Sequence, residues 1–274
     1  MQQTADVRHE AKRKYKPFAR RIEEIVEETA PVVEAVTELP LPGVVVRLLK
    51  AEKWIKEHTV LDRQRLDAEK KELDPGPLEV QAARAQIKAV RKAIGVSWIL
   101  TGGQAVETSL GQPQLLVMPE TLQHAGRLDD PDVLCALVSH ELTHLAQHRA
   151  SGGSIFTLRQ TFFPHLRGIE GRDYAFLMEG HATWAAQEVT RKLRGREVPL
   201  GETSDKASWV FKRVVAKLPD RRRTLEVYEE AGHVVERAVG ALGATRFNRL
   251  WQDPDLVPTE RETSRPDAWI ERLR

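Results

Sequence analysis

The sequence PDVLCALVSHELTHLAQHR at residues 131–149 contains the motif H-E-x-x-H, formed by His140, Glu141 and His144. Apolar residues on both sides of the motif predict a helix, and Asp130 followed by a proline is typical of a helix N-terminus. On a helix, His140 and His144 lie one turn apart on the same face. Two imidazoles in this arrangement can bind one Zn²⁺, and Glu141 can reach a water beside the ion. The motif therefore predicts a zinc site, with a coincidental histidine pair on a solvated face as the alternative.

Composition indicates a folded protein, with 41% hydrophobic and 30% charged residues among 274. The formal net charge of +2 gives no reason to expect a nucleic-acid or membrane partner. The single cysteine, Cys135, excludes an internal disulfide framework and fits a reducing compartment. The first residues lack the apolar region of a signal peptide, and no run approaches the ~18 apolar residues of a membrane span. We expect a cytoplasmic protein, whose oligomeric state the sequence does not indicate.

Proline and glycine clusters divide the first third of the chain. The breakers are LPLPG at 39–43 and DPGP at 74–77. The helices predicted around them cover 5–38, 44–73 and 78–94, the last ending at Gly95. DPGP is the clearest candidate boundary, and we place an N-terminal helical extension over 1–74 and a catalytic domain over 75–274. The extension could pack on the core, mediate oligomerisation or cover the site.

Residues 96–118 differ from the rest of the chain. The short segments VSWIL, QAVETSL and PQLLVMP are separated by TGG and GQP, which are typical of turns between strands. With helices predicted over 173–195, 203–218 and 219–242, the fold class is mainly α with a small β-sheet (α+β). An exposed edge strand over 114–118 could pair with an extended peptide backbone. The alternative is an ordinary small sheet that covers the helices.

A catalytic zinc ion usually has three protein ligands, so a third must come from outside the motif. His148 lies two turns from His140, about 12 Å along the helix axis, which is too far for one tetrahedral ion. Glu179, in the helix predicted over 173–195, is the preferred candidate because small residues on its face allow a close approach to the motif helix. His181 points about 200° away from Glu179 on a regular helix. Glu170 is a further alternative.

The motifs HELTH and EGHA resemble those of the gluzincins, metallopeptidases that combine H-E-x-x-H with a distant glutamate. With RRR at 221–223 and RFNRLWQDPDLVPTERETSRPDAWIER at 246–272, the chain resembles a bacterial family of zinc-dependent hydrolases. Its members are described as zincin-like metalloproteases associated with biosynthesis of a deazaflavin coenzyme. The resemblance covers roughly residues 130–274. It implies a zincin-like metallopeptidase fold, with His140 and His144 as the motif histidines, Glu141 as the motif glutamate and Glu179 as the third ligand.

The predicted activity is zinc-dependent hydrolysis of an amide bond in a peptide or protein. Glu141 would take a proton from water and deliver it to the leaving amine. Candidates for stabilising the developing oxyanion are Tyr174, Tyr228 and His233, of which the last two lie in one segment, YEEAGHVVERA. Two other functions stay open: a zincin scaffold that binds zinc or a peptide without turnover, and a hydrolase acting on a small amide.

Overall fold

The structure, a computed structural model, describes residues 5–108, 111–201, 203–218 and 220–274, without the side chains of 220–222. In these ranges the protein is mostly helical, with one four-stranded sheet, and the predicted α+β class is confirmed. No helix in the described ranges is long and apolar enough to cross a membrane.

Two strands lie in the N-terminal region where the sequence predicted only helices. Strand β1 (Asp6–His9) precedes helix α1 (Lys16–Thr37), and strand β2 (Val45–Leu48) precedes helix α2 (Ala51–Leu73). Both predicted helices therefore began too early. Their four-residue strands alternate between more and less buried positions and pair in parallel with each other. This pairing joins segments far apart in sequence, so no local pattern indicates it.

The next segment also differs from its prediction. Helix α3 (Pro77–Ser97) continues through Gly95, and VSWIL at 96–100 forms the end of that helix and a 3₁₀ turn rather than a strand. Strands β3 (Gly103–Glu107) and β4 (Pro113–Val117) follow, and the sheet order is β1-β2-β4-β3. Strand β4 is paired on both sides, so the prediction of an edge at 114–118 was wrong. Among the described strands, the edge nearest the motif helix is β3.

The motif helix packs against the helix that carries Glu179. After α4 (Pro119–His124), α5 (Pro131–Ala150) carries H-E-x-x-H, and the Asp130 carboxylate accepts a hydrogen bond from the N-terminal backbone of this helix, as predicted. The short helix α6 (Ser154–Arg159) leads to α7 (Tyr174–Arg194), which ends at Gly195 in the left-handed conformation. Helix α8 (Trp209–Ala216) is shorter than predicted, and α9 (Asp220–Leu242) packs along α7.

The C-terminal region closes the core with short helices α10 (Ala244–Phe247), α11 (Glu260–Thr263) and α12 (Pro266–Leu273). Phe247, Trp251 and Trp269 from this region are almost completely buried. Ile22 of α1 belongs to the same core cluster as Leu142 of α5, so α1 packs on the motif helix. The division of the chain at residue 74 stays a prediction.

Helices α2 and α3 form a hairpin that stands beside the site. The hairpin contacts the segment after α6, where the Phe162 N–H donates to the buried Glu69 carboxylate at 2.9 Å. Arg167 in the same segment donates to Glu72 at 2.9 Å. Leu66 of α2 and Phe163 belong to one apolar cluster. These contacts place α2 along one side of the cavity described below.

Candidate metal centre

His140 and His144 point their Nε2 atoms at one place, as the helical spacing predicts. The two Nε2 atoms are 3.2 Å apart, and the ring planes are nearly perpendicular, at 85°. Both side chains are largely shielded from solvent. Two converging nitrogen atoms at this separation leave room for a third donor on the same side of α5.

Glu179 supplies that donor from α7. Its Oε2 atom lies 3.3 Å from His140 Nε2 and 3.8 Å from His144 Nε2. The three ligand atoms lie within 4.8 Å of one another, and among the described residues this is the cluster that could hold a metal ion. Two imidazole nitrogens and one carboxylate oxygen are a donor set typical of catalytic zinc. The residues present therefore fit the ion that the motif predicts.

Electrostatics favour an ionised Glu179. Burial opposes its charge, but His144, His140 and Arg159 outweigh burial and hold the pKa of Glu179 well below its usual value. Arg159, at the end of α6, donates from Nη2 to Glu179 Oε1 at 2.5 Å, which leaves Oε2 facing the histidines. The sequence analysis missed Arg159, because nothing local distinguishes it from the chain's many other arginines.

Glu141 lies between the histidines and the edge of the sheet. Its Oε2 atom accepts a hydrogen bond of 2.6 Å from the backbone N–H of Ala105 in β3. Burial, together with the charge of Glu179, raises the pKa of Glu141 to about 7, against the opposing influence of His140 and of the Ala105 N–H. A carboxyl group with a pKa near neutrality can both accept and return a proton.

Gln147 is a second residue that the sequence analysis missed as a site residue. It is completely buried, one turn beyond His144 on α5. Its Oε1 lies 2.9 Å from His144 Nδ1, and its Nε2 lies 3.0 Å from the Met178 carbonyl oxygen and 3.1 Å from His181 Nδ1. The spacing of three residues from His144 was a usable signal, because such residues are neighbours on a helix.

Close packing of α7 against α9 completes the site. A Cβ atom on Gly180 would lie 2.7 Å from the Ala231 carbonyl oxygen, and one on Gly232 would lie 3.1 Å from Thr183 Cγ2. Both glycines therefore allow the helix axes to approach more closely than larger residues would. This approach brings Tyr228, one turn before Ala231 and Gly232, to the cavity.

A cavity of about 670 Å³ opens over the three ligand atoms. It follows α5 from Val133 past Leu137 to His144, and its other walls include residues of α2, α3, β3, α4, α6, α7, α8, α9 and the segment 198–201. Tyr228 lines it, and burial together with the charge of Glu179 raises the pKa of its hydroxyl. Tyr228 therefore stays protonated near neutral pH and can donate a hydrogen bond.

The other two oxyanion candidates lie elsewhere. His233 is five residues beyond Tyr228, about 140° further round an ideal helix. Its side chain is 65% exposed, with Nδ1 3.7 Å from Glu236, and it does not line the cavity. The structure therefore does not place His233 with the metal ligands. Tyr174 is buried at the start of α7, where burial raises the pKa of its hydroxyl to about 12, and it does not line the cavity either.

The alternative third ligands also lie away from the cluster. His148 Nε2 is 3.4 Å from Glu107, with its ring against Phe156. His181 is buried on another face of α7, among Trp184, Phe247 and Trp251, and burial lowers its pKa to about 3. Glu170 is exposed. Helical geometry explains the first two: His148 lies two turns along α5 from His140, and His181 points about 200° away from Glu179 on α7.

Comparisons with known proteins gave one match by sequence and one by structure. The sequence model of a family described as zincin-like metallopeptidase matches residues 174–270. The matched region contains Glu179 and Tyr228 but begins after the H-E-x-x-H motif, so the motif is an observation independent of the match. A comparison with curated proteins gave no match.

One solved structure is similar over most of its length. It is described as a "putative hydrolase with a novel fold" from Chloroflexus aurantiacus. The similarity covers 93% of this chain and 89% of that chain, with a TM-score of 0.58 and 17% sequence identity. At this identity, the similarity shows a shared fold. At this coverage it includes most of the chain before residue 174, which the family match does not reach.

Proposed function

We propose that the protein is a zinc-dependent metallohydrolase of the gluzincin type that cleaves amide bonds in peptides or proteins. The observation that carries the proposal is the convergence of His140, His144 and Glu179, with Glu141 directly beside them. A purely structural zinc site needs no acidic group next to its ligands. The family match to zincin-like metallopeptidases supports the same chemistry. The narrower association with a deazaflavin coenzyme rests on the sequence resemblance alone.

Zinc bound by His140, His144 and Glu179 would supply Lewis-acid chemistry, because it acidifies water and polarises a carbonyl group. Glu141 would remove the proton of the attacking water and return it to the leaving amine. The Ala105 N–H holds one oxygen of Glu141 in place during this exchange. The hydroxyl of Tyr228, held in its protonated form by burial, would donate to the developing oxyanion.

Edge strand β3 is a candidate platform for a peptide substrate. Gly103, Gln104 and Ala105 line the cavity, and in the described sheet β3 pairs on one side only, with β4. An extended peptide could therefore add to β3 as a further strand, with its backbone crossing the site. Such binding would recognise the peptide backbone.

A hydrolase acting on a small amide is the second candidate. The cavity volume of about 670 Å³ falls within the range typical of small-molecule sites, roughly 300–1,000 Å³. Walls from α2 and from segment 198–201 partly surround the ligand atoms. The non-catalytic scaffold is the third possibility, and the position of Glu141 argues against it.

Metal analysis combined with digestion of a peptide library tests these proposals. We expect one zinc ion per chain and cleavage that disappears in Glu141→Gln while the zinc content is retained. Glu170→Gln provides a matched control, because that glutamate is exposed and away from the site. Zinc binding with turnover of small amides but no peptide would favour the second candidate. Persistence of cleavage in Glu141→Gln would contradict the assigned role of Glu141.

A further inference from the structure

The buried amide of Gln147 makes contacts whose directions can be assigned from chemistry. The Met178 carbonyl oxygen can only accept, so the Gln147 atom 3.0 Å from it must be the NH₂ nitrogen. Gln147 Oε1 then faces His144 Nδ1 at 2.9 Å and accepts the proton of that ring nitrogen. The second N–H of the amide points at His181 Nδ1, which accepts it.

This assignment fixes the tautomer of each neutral ring. In the neutral ring, a proton on Nδ1 of His144 leaves its Nε2 lone pair free and directed at His140 Nε2 and Glu179 Oε2. His181, which accepts at Nδ1, carries its proton on Nε2. The three residues thus form a buried chain from the candidate metal site into the aromatic cluster of the C-terminal region.

The same amide also joins the two helices that carry the ligands. Gln147 lies on α5 with His140 and His144, whereas Met178 immediately precedes Glu179 on α7. A hydrogen bond to the Met178 carbonyl therefore fixes the position of α5 relative to the peptide unit that carries Glu179. His140 has no equivalent support, since its Nδ1 has no hydrogen-bond partner among the described residues.

We propose that Gln147 is a positioning residue of the metal site: it sets the His144 tautomer that exposes Nε2 and holds the His144-bearing helix against the Glu179-bearing helix. The assignment of His140, His144 and Glu179 as metal ligands rests on the proposed function. The assignment of the His144 tautomer rests on the hydrogen bonds of Gln147 instead. Supporting partners of ligating histidines typically account for a factor of 10–100 in metal affinity. We expect a loss of that size when the amide is removed.

The first measurement uses the metal-free protein. Long-range ¹H–¹⁵N correlation of ¹⁵N-labelled histidine rings should find the proton of His144 on Nδ1 and that of His181 on Nε2. In Gln147→Met, which keeps the length of the side chain but not its polar atoms, the His144 ring should lose its fixed Nδ1–H form. A neutral His144 ring with its proton on Nε2 in the wild-type protein would overturn the proposal.

The second measurement is zinc affinity by competition with a chromophoric chelator. Gln147→Met should bind zinc about 10–100-fold more weakly than the wild type. Gln114→Met is the matched control, because Gln114 is equally a buried glutamine but lies on β4 and does not line the cavity. Its affinity should stay within about twofold. Equal losses in the two variants would show a general packing effect and would contradict the proposal.

A second variant keeps the proposal testable if Gln147→Met does not fold. Gln147→Glu retains an oxygen that accepts from His144 Nδ1, and in its ionised form it cannot donate to the Met178 carbonyl. We expect the His144 tautomer to be kept and zinc affinity to fall by less than the roughly 10–100-fold expected for Gln147→Met, because only the contact with Met178 is lost. Loss of the Nδ1–H form of His144 in this variant would overturn the tautomer role. A wild-type protein that binds no zinc would contradict the proposed function. In that case the NMR measurement of the His144 tautomer would still test whether Gln147 sets it.

Discussion

Gly180 of α7 and Ala231 of α9 are in direct backbone contact: a Cβ atom on residue 180 would lie 2.7 Å from the Ala231 carbonyl oxygen and 2.8 Å from its carbonyl carbon. Gly180 immediately follows Glu179, and Tyr228 lies one turn before Ala231. The absence of a side chain at one position therefore determines how closely the tyrosine approaches the candidate metal ligands. This contact explains why the second position of the EGHA motif is a glycine.

Gly180→Ala should therefore destabilise the fold, although alanine is the better helix former. Overpacking against backbone typically costs about 1–3 kcal/mol, which outweighs a helix-propensity gain of about 1 kcal/mol. Gly240→Ala in α9 is the control, because its Cβ would meet nothing within 4 Å, and it should be neutral or slightly stabilising. Urea unfolding of both variants measures the difference. Similar free energies of unfolding for Gly180→Ala and Gly240→Ala would contradict the prediction, because α7 and α9 could then move apart without a loss of stability.

Tyr228→Phe removes the hydroxyl that the structure brings to the cavity and retains the ring. We expect kcat to fall about 10²–10³-fold, the usual loss on removing one oxyanion donor, with zinc content unchanged. His233→Ala should leave kcat within twofold, because His233 is exposed outside the cavity. Steady-state kinetics on one peptide substrate compares them. A large loss in His233→Ala would reverse the assignment of the two residues.

Arg159→Met should weaken zinc binding by about tenfold, within the range typical of residues that support a ligand. The arginine holds Oε1 of Glu179, and without it the carboxylate is free to rotate and is more easily protonated. Chelator competition at several pH values measures both effects, and the loss should grow as the pH falls. Arg191→Met is a suitable control, since Arg191 is paired with Glu188 and Glu197 outside the cavity. Equal affinities for Arg159→Met and the wild type would contradict this role.

The central part of the fold could be predicted from sequence because its signals are local. Asp130 and Gly195 mark helix ends, and the four-residue spacing of His140 and His144 places them on one face. Strands β1 and β2 could not be predicted, because four residues give too short an alternation and their partners lie far along the chain. The same limit applies to the site: Arg159 reaches Glu179 only through the tertiary arrangement of α6 and α7.

The ion-pair cluster that fastens β1 to β2 and α2 gives a pH dependence of stability. Arg47 donates to both Glu10 and Glu57, and Lys53 also contacts Glu10. Although burial opposes it, the hydrogen bond from Arg47, with help from Lys53, lowers the pKa of Glu10 from 4.5 to about 2. Between these values the unfolded chain binds more protons than the folded one, so the free energy of unfolding decreases as the pH falls from about 4.5 to 2.

The stabilisation by Glu10 is therefore present above about pH 4.5 and lost in acid. Because the cluster is only partly buried, we expect it to contribute on the order of 2 kcal/mol at neutral pH. Glu10→Gln should lower the free energy of unfolding by about this amount at pH 7 and make little difference near pH 2. Urea unfolding of the wild type and of Glu10→Gln between pH 2 and pH 7 measures this difference in the free energy of unfolding. Glu24→Gln is the control, because Glu24 is exposed. A difference between Glu10→Gln and wild type that does not change with pH would mean that Glu10 acts through packing rather than charge.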